Sequence, residues 1–411
     1  MPYNKYRSAY HAGPSTNNRR PGSSFGGGGG NRRPSGGGNK RRGQYIDPSR
    51  FVKAAVPVAV GEEYVPMHTF AEFEINDVIK NNIISKGYMI PTPIQDQTIP
   101  VALEGYDVIG IANTGTGKTA AFALPALHQL MTFADSRALI VAPTRELAQQ
   151  IEQECRSIAK GSGLTGALLI GGSAMGPQLR DLRNKPRIVI GTPGRIKDHQ
   201  RQGTLDLSHF NIVVLDEVDR MLDMGFVNDV QEILNSLSAE RQSFFFSATL
   251  DTRVKNLIHS FAKDPVTISL KVGETADSVN QDVVRYSGSH EKMEKLHDIL
   301  LNQGVEKAIV FDETQRGVER LSNDLLSRGF DVDAIHGGKS QGQRQRALDK
   351  FKANKIKILV ATDVAARGID VKDITHVINF GMPNSYEDYV HRVGRAGRAG
   401  KTGNALTFIQ G

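Results

Sequence analysis

Apolar and polar positions from residue 70 onward fall into two alternating series. Short apolar runs at 107–112, 138–142, 187–191, 211–216 and 243–247 read as buried strands. Between them, 145–160 and 227–237 carry apolar residues at helical spacing. A second series follows from about Val279, with strands at 307–311, 331–335, 357–361 and 376–380 and helices at 315–327 and 341–352. Strand and helix alternating in this way predict parallel sheets with helices packed on their faces. The polar stretch 271–278 separates the two series and reads as a linker. The pattern therefore predicts a tail over 1–49, one α/β domain over 50–270 and another over 279–411.

Composition changes the picture mainly at the N-terminus. Residues 1–49 are dominated by Gly, Arg, Asn, Ser and Pro, with too little apolar surface to offset the entropy of ordering them, so the segment is expected to be disordered. Nine Lys or Arg and no acidic residue lie before Asp47, out of 51 basic and 44 acidic residues overall. Without those nine, 42 basic residues face 44 acidic ones, so the +7 net charge belongs to the tail. Tyr3, Tyr6, Tyr10, Phe25 and Tyr45 are scattered among its charges, which suits a solvated arm or one that grips RNA by charge and stacking. The single cysteine, Cys155, excludes an intrachain disulfide and a Cys-based zinc site. No run is apolar for long enough to span a bilayer, and the N-terminus lacks the apolar core of a secretory leader. A soluble protein of the cytoplasm is expected.

The chemistry begins at Ala112–Thr119 (ANTGTGKT), between a predicted strand and a predicted helix. Thr114, Gly115, Thr116 and Gly117 form a loop whose backbone N–H groups can wrap phosphates, and the helix behind it adds the positive end of its dipole. Lys118 is placed to reach the β- and γ-phosphates, and the Thr119 hydroxyl to bind Mg²⁺. The run 211–217 ends in Asp216 and Glu217. Asp216 suits Mg²⁺ binding through water, and Glu217 suits orienting or deprotonating an attacking water. An acidic pair at a strand end is often only solvated; beside a phosphate loop it points to nucleotide hydrolysis. In the second series, Arg395 and Arg398 within His391–Arg398 (HRVGRAGR) are candidates to stabilise charge on the γ-phosphate across an inter-domain cleft.

Taken in order, these and further motifs resemble those of the DEAD-box RNA helicases, over roughly four-fifths of the chain. Residues 87–95 (GYMIPTPIQ) match the family's adenine-recognising motif, with Phe70 at the position of its upstream aromatic. The resemblance implies that Gln95 hydrogen-bonds the adenine edge and Phe70 stacks nearby. It implies two tandem RecA-like domains, ATP and Mg²⁺ as ligands, and RNA gripped largely by its backbone. The RNA contacts it assigns in the first domain are Pro143, Thr144 and Arg145, then Gly171 and Gly172, then Thr192, Pro193, Gly194 and Arg195. In the second domain they are Thr362, Asp363 and Arg367, with Asp370 reaching the ribose of the nucleotide. Ser247 and Thr249, of a Ser-Ala-Thr motif, would couple hydrolysis to strand opening, with His391 set against Asp219 and Ser247 on closure. Two residues depart from the common pattern: Val218 stands where Ala is usual, and Ala396 where Thr is common.

The expected activity is therefore ATP hydrolysis coupled to local RNA unwinding or to remodelling of ribonucleoprotein, by a monomer without a membrane partner. A DNA-directed helicase and an ATP-gated RNA clamp or scaffold are the rival readings. A GTPase is disfavoured, since no Asn-Lys-x-Asp is present and Gln95 suits adenine. The core motifs grip backbone and not bases, so they are common to family members that act in ribosome assembly, decay and translation.

Overall fold

Short apolar runs such as Ile-Val-Val-Leu, rich in β-branched residues, suit strands buried on both faces. The computed structural model describes residues 46–55, 64–113, 115–270, 279–302, 304–366, 371, 373–397 and 402–411. In it those runs form β1 (Val108–Ile111), β2 (Ala138–Val141), β4 (Ile188–Gly191), β5 (Ile212–Leu215) and β6 (Gln242–Ser247). With β3 (Gly166–Leu169) and β7 (Val266–Ser269) they make a parallel sheet in the order β3-β4-β2-β5-β6-β1-β7. Alternate residues serve opposite layers: Ile212, Val214, Phe244 and Phe246 pack into one core, and Val213, Leu215 and Phe245 into the other. Gly110 lies across from Phe246, where a Cβ would fall 2.4 Å from the ring.

The second sheet comprises β8 (Val279–Tyr286), β9 (Ala308–Phe311), β10 (Val332–Ile335), β11 (Ile358–Ala361), β12 (His376–Asn379) and β13 (Gly403–Gln410). Its order is β10-β11-β9-β12-β13-β8, again parallel throughout. Ile309, Phe311 and Leu359 face one layer of helices, and Ala308, Val310 and Ile358 the other. Two α/β lobes with covered parallel sheets are thus present, as the periodicity predicts.

Where the first lobe begins differs from expectation. Residues from 50 onward were expected to open it, with 1–49 as the tail. Instead Ile46 and Phe51 are buried against Val279 and Tyr389 of the second lobe, and Lys53 pairs with Gln281 on β8. Two large apolar side chains spaced within one short segment need a core, and the second sheet supplies it at its edge. The first lobe's own chain is picked up at Tyr64, which donates to Asp96. The expected tail up to residue 45 and the expected linker 271–278 lie outside the described residues.

Candidate functional site

Every motif singled out above in the first lobe, apart from Phe70, sits at or just beyond the carboxyl ends of its parallel strands, or at the helix start behind Thr92, and the strand order sorts them into two halves. At such an edge the helix N-termini that follow the strands all point the same way, which favours anionic ligands. The β5-β6-β1 half carries the phosphate loop, the acidic pair and Ser247. The β3-β4-β2 half carries Gly171, Thr192 and Pro143 with their neighbours.

In the first half, the helix Lys118–Thr132 starts directly behind Gly117, whose φ of +92° only glycine adopts without strain. A Cβ there would also fall 2.4 Å from Gln95 Nε2. Gln95 donates to the Gly117 carbonyl at 3.0 Å and accepts from the Thr92 backbone at 2.9 Å, so it ties the predicted adenine motif to the phosphate loop. One N–H and one lone pair of the carboxamide are left over. Lys118 is buried and donates to the Ala112 carbonyl at 2.8 Å, while Thr116 Oγ1 donates to Asn113. Gly115 and Thr119 flank them at the mouth of the loop; Thr114 lies outside the described residues.

Phe70 lies in the first lobe's core, close to the helix that bears Gln95. Its ring is 1% exposed, edge-on to Phe73 and Tyr88.

Asp216 and Glu217 follow β5 directly and are both buried. Glu217 adopts φ +55°, a left-handed conformation that few non-glycine residues tolerate. Arg220, one turn later, lies 3.3 Å from it. Burial pushes the Asp216 carboxyl up to about 6, against the pull of the Lys118 charge and with Glu217 and Asp219 adding to the rise. Asp219 is satisfied within the lobe: its Oδ2 accepts from the backbones of Ala248 and Thr249 and from the Thr249 hydroxyl, at 3.0–3.2 Å. Its own N–H donates to Ser247 Oγ at 3.3 Å. The three expected coupling residues of the first lobe are therefore one hydrogen-bonded unit. Val218 is fully buried beside Met221, which is where its two extra methyl groups go.

In the second half, Thr144 caps the helix Arg145–Ile158 by accepting from Leu147, and Arg145 lies against Gly171 and Gly172. A Cβ on Gly172 would sit 2.1 Å from Arg145 Nη1, so only glycine leaves room for the guanidinium. Thr192 precedes the helix Pro193–Arg201, and Arg195 donates to the Ser173 carbonyl at 3.3 Å. Pro143, Thr144, Arg145, Gly171, Gly172, Thr192, Pro193, Gly194 and Arg195 thus converge on three neighbouring strand ends.

The second lobe contributes the helix Tyr386–Val393. A cavity of about 310 Å³ is lined by Asn113, Asp219 and Thr249 from one lobe and by Tyr386, Val390, His391 and Gly394 from the other. His391 and Asp219 thus face one space, with Ser247 beneath Asp219. Arg395 is 3% exposed and donates to the His391 carbonyl at 3.3 Å, back along its own helix end. Both oxygens of Asp363 accept from Arg392, at 2.5 and 2.7 Å, which gives the buried guanidinium its counter-charge. Thr362 lies at the end of β11, 8% exposed. Arg367, Asp370 and Arg398 lie outside the described residues.

Residue-level reading missed Arg392 as a structural anchor, and it missed a seam between the lobes. Arg344 Nη2 lies 2.7 Å from Glu146 Oε2, and Gln341 donates to Glu146 and to Gln149 at 3.3 and 2.8 Å. Glu146 and Arg344 are 2% and 5% exposed. The signal was available only in part: Glu146 follows Arg145 in a helix's first turn, but nothing local names a partner 198 residues away.

Comparison with known proteins agrees with this geometry. Residues 92–257 match the family DEAD/DEAH box helicase, and 291–400 match the helicase conserved C-terminal domain. A Listeria monocytogenes protein, ATP-dependent RNA helicase CshA, is 45% identical over 84% of this chain and 66% of its own length. The Bacillus subtilis DEAD-box ATP-dependent RNA helicase CshA is 43% identical over 83% of this chain and 69% of its own. This chain thus spans about two thirds of the length of these relatives. Among solved structures, S. cerevisiae Dbp5 bound to RNA and ADP BeF3 superposes with a TM-score of 0.74 at 28% identity, over 84% of this chain and 90% of that one. A Methanococcus jannaschii DEAD box protein, 40% identical over 84% of this chain and 94% of that one, gives 0.50. With relatives this similar spanning both lobes, the chain belongs to the DEAD-box family of ATP-dependent RNA helicases.

Proposed function

We propose that this protein hydrolyses ATP in response to RNA, and that closure of its lobes on both ligands separates short RNA duplexes or displaces proteins bound to RNA. The observation that carries the reading is the division of one strand-end row into a phosphate-binding half and a half of hydroxyls, glycines and guanidinium groups. That second set is the usual company of a nucleic-acid backbone. The helix Val218–Asp223 follows the acidic pair, and Asp219 ties it to Ser247 and Thr249 at the lobe boundary.

In this reading Lys118 leaves the Ala112 carbonyl for the phosphates, and Gln95 spends its spare donor and acceptor on adenine. Glu217 orients the attacking water and takes its proton. The Thr119 hydroxyl and Asp216 are hard oxygen donors that suit Mg²⁺, with waters and phosphate oxygens filling its other positions. When bound, the ion would neutralise charge on the transferring phosphate. Arg395 and Arg398 supply the positive charge from the second lobe, and Arg367 and Asp370 complete its RNA and ribose contacts. Phe70 would pack near the base.

The same proposal holds the protein to be a cytoplasmic monomer that meets ribonucleoprotein or ribosome-assembly partners, with its basic arm adding sequence-independent RNA affinity. No helix among the described residues is long and apolar enough to cross a membrane. The test is ATP turnover at saturating ATP and Mg²⁺ with no nucleic acid, with single-stranded RNA and with DNA of the same sequence. Stimulation by RNA alone is expected, since the 2′-hydroxyl is what distinguishes the two. Equal stimulation by DNA would point to a DNA-directed enzyme, and no stimulation by either would overturn the reading.

A further inference from the structure

We infer that Gln178 and His199 are positioning residues for RNA, a buried brace that locks the glycine loop 170–174 to the helix Pro193–Arg201; this rests on both elements meeting the RNA backbone, as proposed for the protein. The two elements leave the sheet side by side. Leu169 and Gly191 are register partners at the ends of β3 and β4, and the Thr192 N–H donates to the Leu169 carbonyl at 3.0 Å. β3 is the edge strand, so the loop that follows it has a neighbouring strand on one side only.

Gln178 stands one turn into the helix Met175–Arg183, is 4% exposed and reaches back to the loop. Its Nε2 lies 3.2 Å from the Ile170 carbonyl oxygen, 3.4 Å from that of Ser173 and 3.2 Å from that of Ala174. Carbonyls only accept, so the NH₂ must face them. Oε1 is left for the fully buried imidazole of His199, 3.4 Å away. His199 Nε2 therefore donates, and Nδ1 accepts from the Thr204 hydroxyl at 2.9 Å. Burial, helped by the Arg195 charge, holds the imidazole below its usual pKa and keeps it in that neutral tautomer. Thr204 is fixed in turn, since its N–H donates to the His199 carbonyl at 2.9 Å. Donor and acceptor roles thus run one way from Thr204 to the loop.

The brace decides which side of the loop carries donors. In a planar trans peptide the C=O and N–H point opposite ways. Drawing in the carbonyls of residues 170, 173 and 174 therefore turns the N–H groups of Gly171, Ala174 and Met175 away from Gln178. Ala174 is exposed, and Met175 opens a helix whose positive dipole end favours an anion. Without the brace, the carbonyls of a loop with two glycines are free to rotate outward, where each would repel a phosphate. The same loop seats Arg145 against Gly171 and Gly172, and Arg195 against the Ser173 carbonyl. It thus sets where both guanidinium charges point, and His199 passes the constraint to the helix that carries Arg195.

The deciding measurement is affinity for single-stranded RNA against salt concentration, in the full chain and in Gln178→Met, His199→Leu and His199→Gln. Met and Leu fill much of the space but lose the bonds, whereas Gln at 199 returns a donor toward Gln178. For single strands log K falls by about 0.7 per log unit of salt for each phosphate neutralised. Losing one phosphate contact should flatten that slope by about 0.7 and raise the RNA KM about five-fold at about 0.1 M salt. Gln178→Met and His199→Leu should show this change, with the ATP KM and the RNA-saturated kcat near those of the parent. His199→Gln should keep the parent slope. A merely structural pair would lower thermal stability and leave the slope alone, so parent slopes in both Gln178→Met and His199→Leu overturn the inference. Should Gln178→Met fail to fold, the two His199 variants decide by themselves. Arg195→Ala separates the brace from the RNA reading beneath it. A slope flattened in Arg195→Ala alone removes the brace and keeps that reading, and parent slopes in every variant remove both.

Discussion

Asp96 sits one residue beyond Gln95, and its carboxylate is the fixed point of the loop that leads to Phe70. Burial works against its charge, yet the Tyr64 hydroxyl, the Met67 N–H and the His68 ring outweigh it and hold the carboxyl below its usual range. Asp96→Asn keeps the shape but loses the charge in these bonds, so it should cost about 2 kcal/mol, in the range for hydrogen bonds to a charged group. The sign of its pH dependence follows from the depressed value. The stabilisation is present above the unfolded carboxyl's pKa and is lost as pH falls through the lower folded value. Urea unfolding of both proteins should therefore show the full gap at neutral pH and a narrowing one below about pH 4. A gap that persists in acid would mean the charge contributes nothing. None of this was legible in the sequence, where Asp96 reads as one more polar residue on a helix; its three donors come from a loop 28–32 positions earlier.

The strands that sequence patterning found most easily are those buried on both faces, such as Ile212–Leu215 and Ala308–Phe311. Those it missed are weaker: β3 (Gly-Ala-Leu-Leu) has no β-branched residue, and the edge strand β8 alternates polar and apolar residues because one face is only partly covered. The packing of Ile46 and Phe51 on the second lobe was missed for a related reason. Phe51 is a single aromatic in a polar neighbourhood, and its core lies more than 220 residues downstream. The phosphate loop and acidic pair were legible because both stand at junctions between strand and helix, where pattern and chemistry coincide. Val218 tests that junction. Its side chain fills the core beside Met221, so Val218→Ala should leave a cavity and cost about 2 kcal/mol at ~0.8 kcal/mol per buried methyl plus incomplete relaxation. Thermal unfolding of the variant checks this. A variant as stable as the parent would mean that the helix Val218–Asp223 closes over the space.

At the scale of the whole molecule, the described contacts between the lobes include the buried Glu146–Arg344 ion pair with Gln341 beside it and a shared cavity. Removing Arg344 would leave Glu146 buried beside Gln341 alone, and breaking such a pair costs about 3–5 kcal/mol. Arg344→Ala should therefore cut RNA-stimulated kcat by about a hundred-fold or more while ATP binding to the first lobe changes little. Glu146→Ala added to it should restore part of the loss, since neither charge is then stranded. Equal turnover in Arg344→Ala and the parent would separate the seam from the working state. The central claim is that ATP holds the lobes closed on RNA and that Glu217 ends this state by activating water. It is tested most directly by the dissociation rate of RNA from Glu217→Gln with ATP and Mg²⁺ present. The substitution keeps the size and hydrogen-bonding reach of the side chain but removes the base, so closure should form and persist. Release much slower with ATP than without nucleotide is the predicted result, and release equally fast in both conditions would contradict the account.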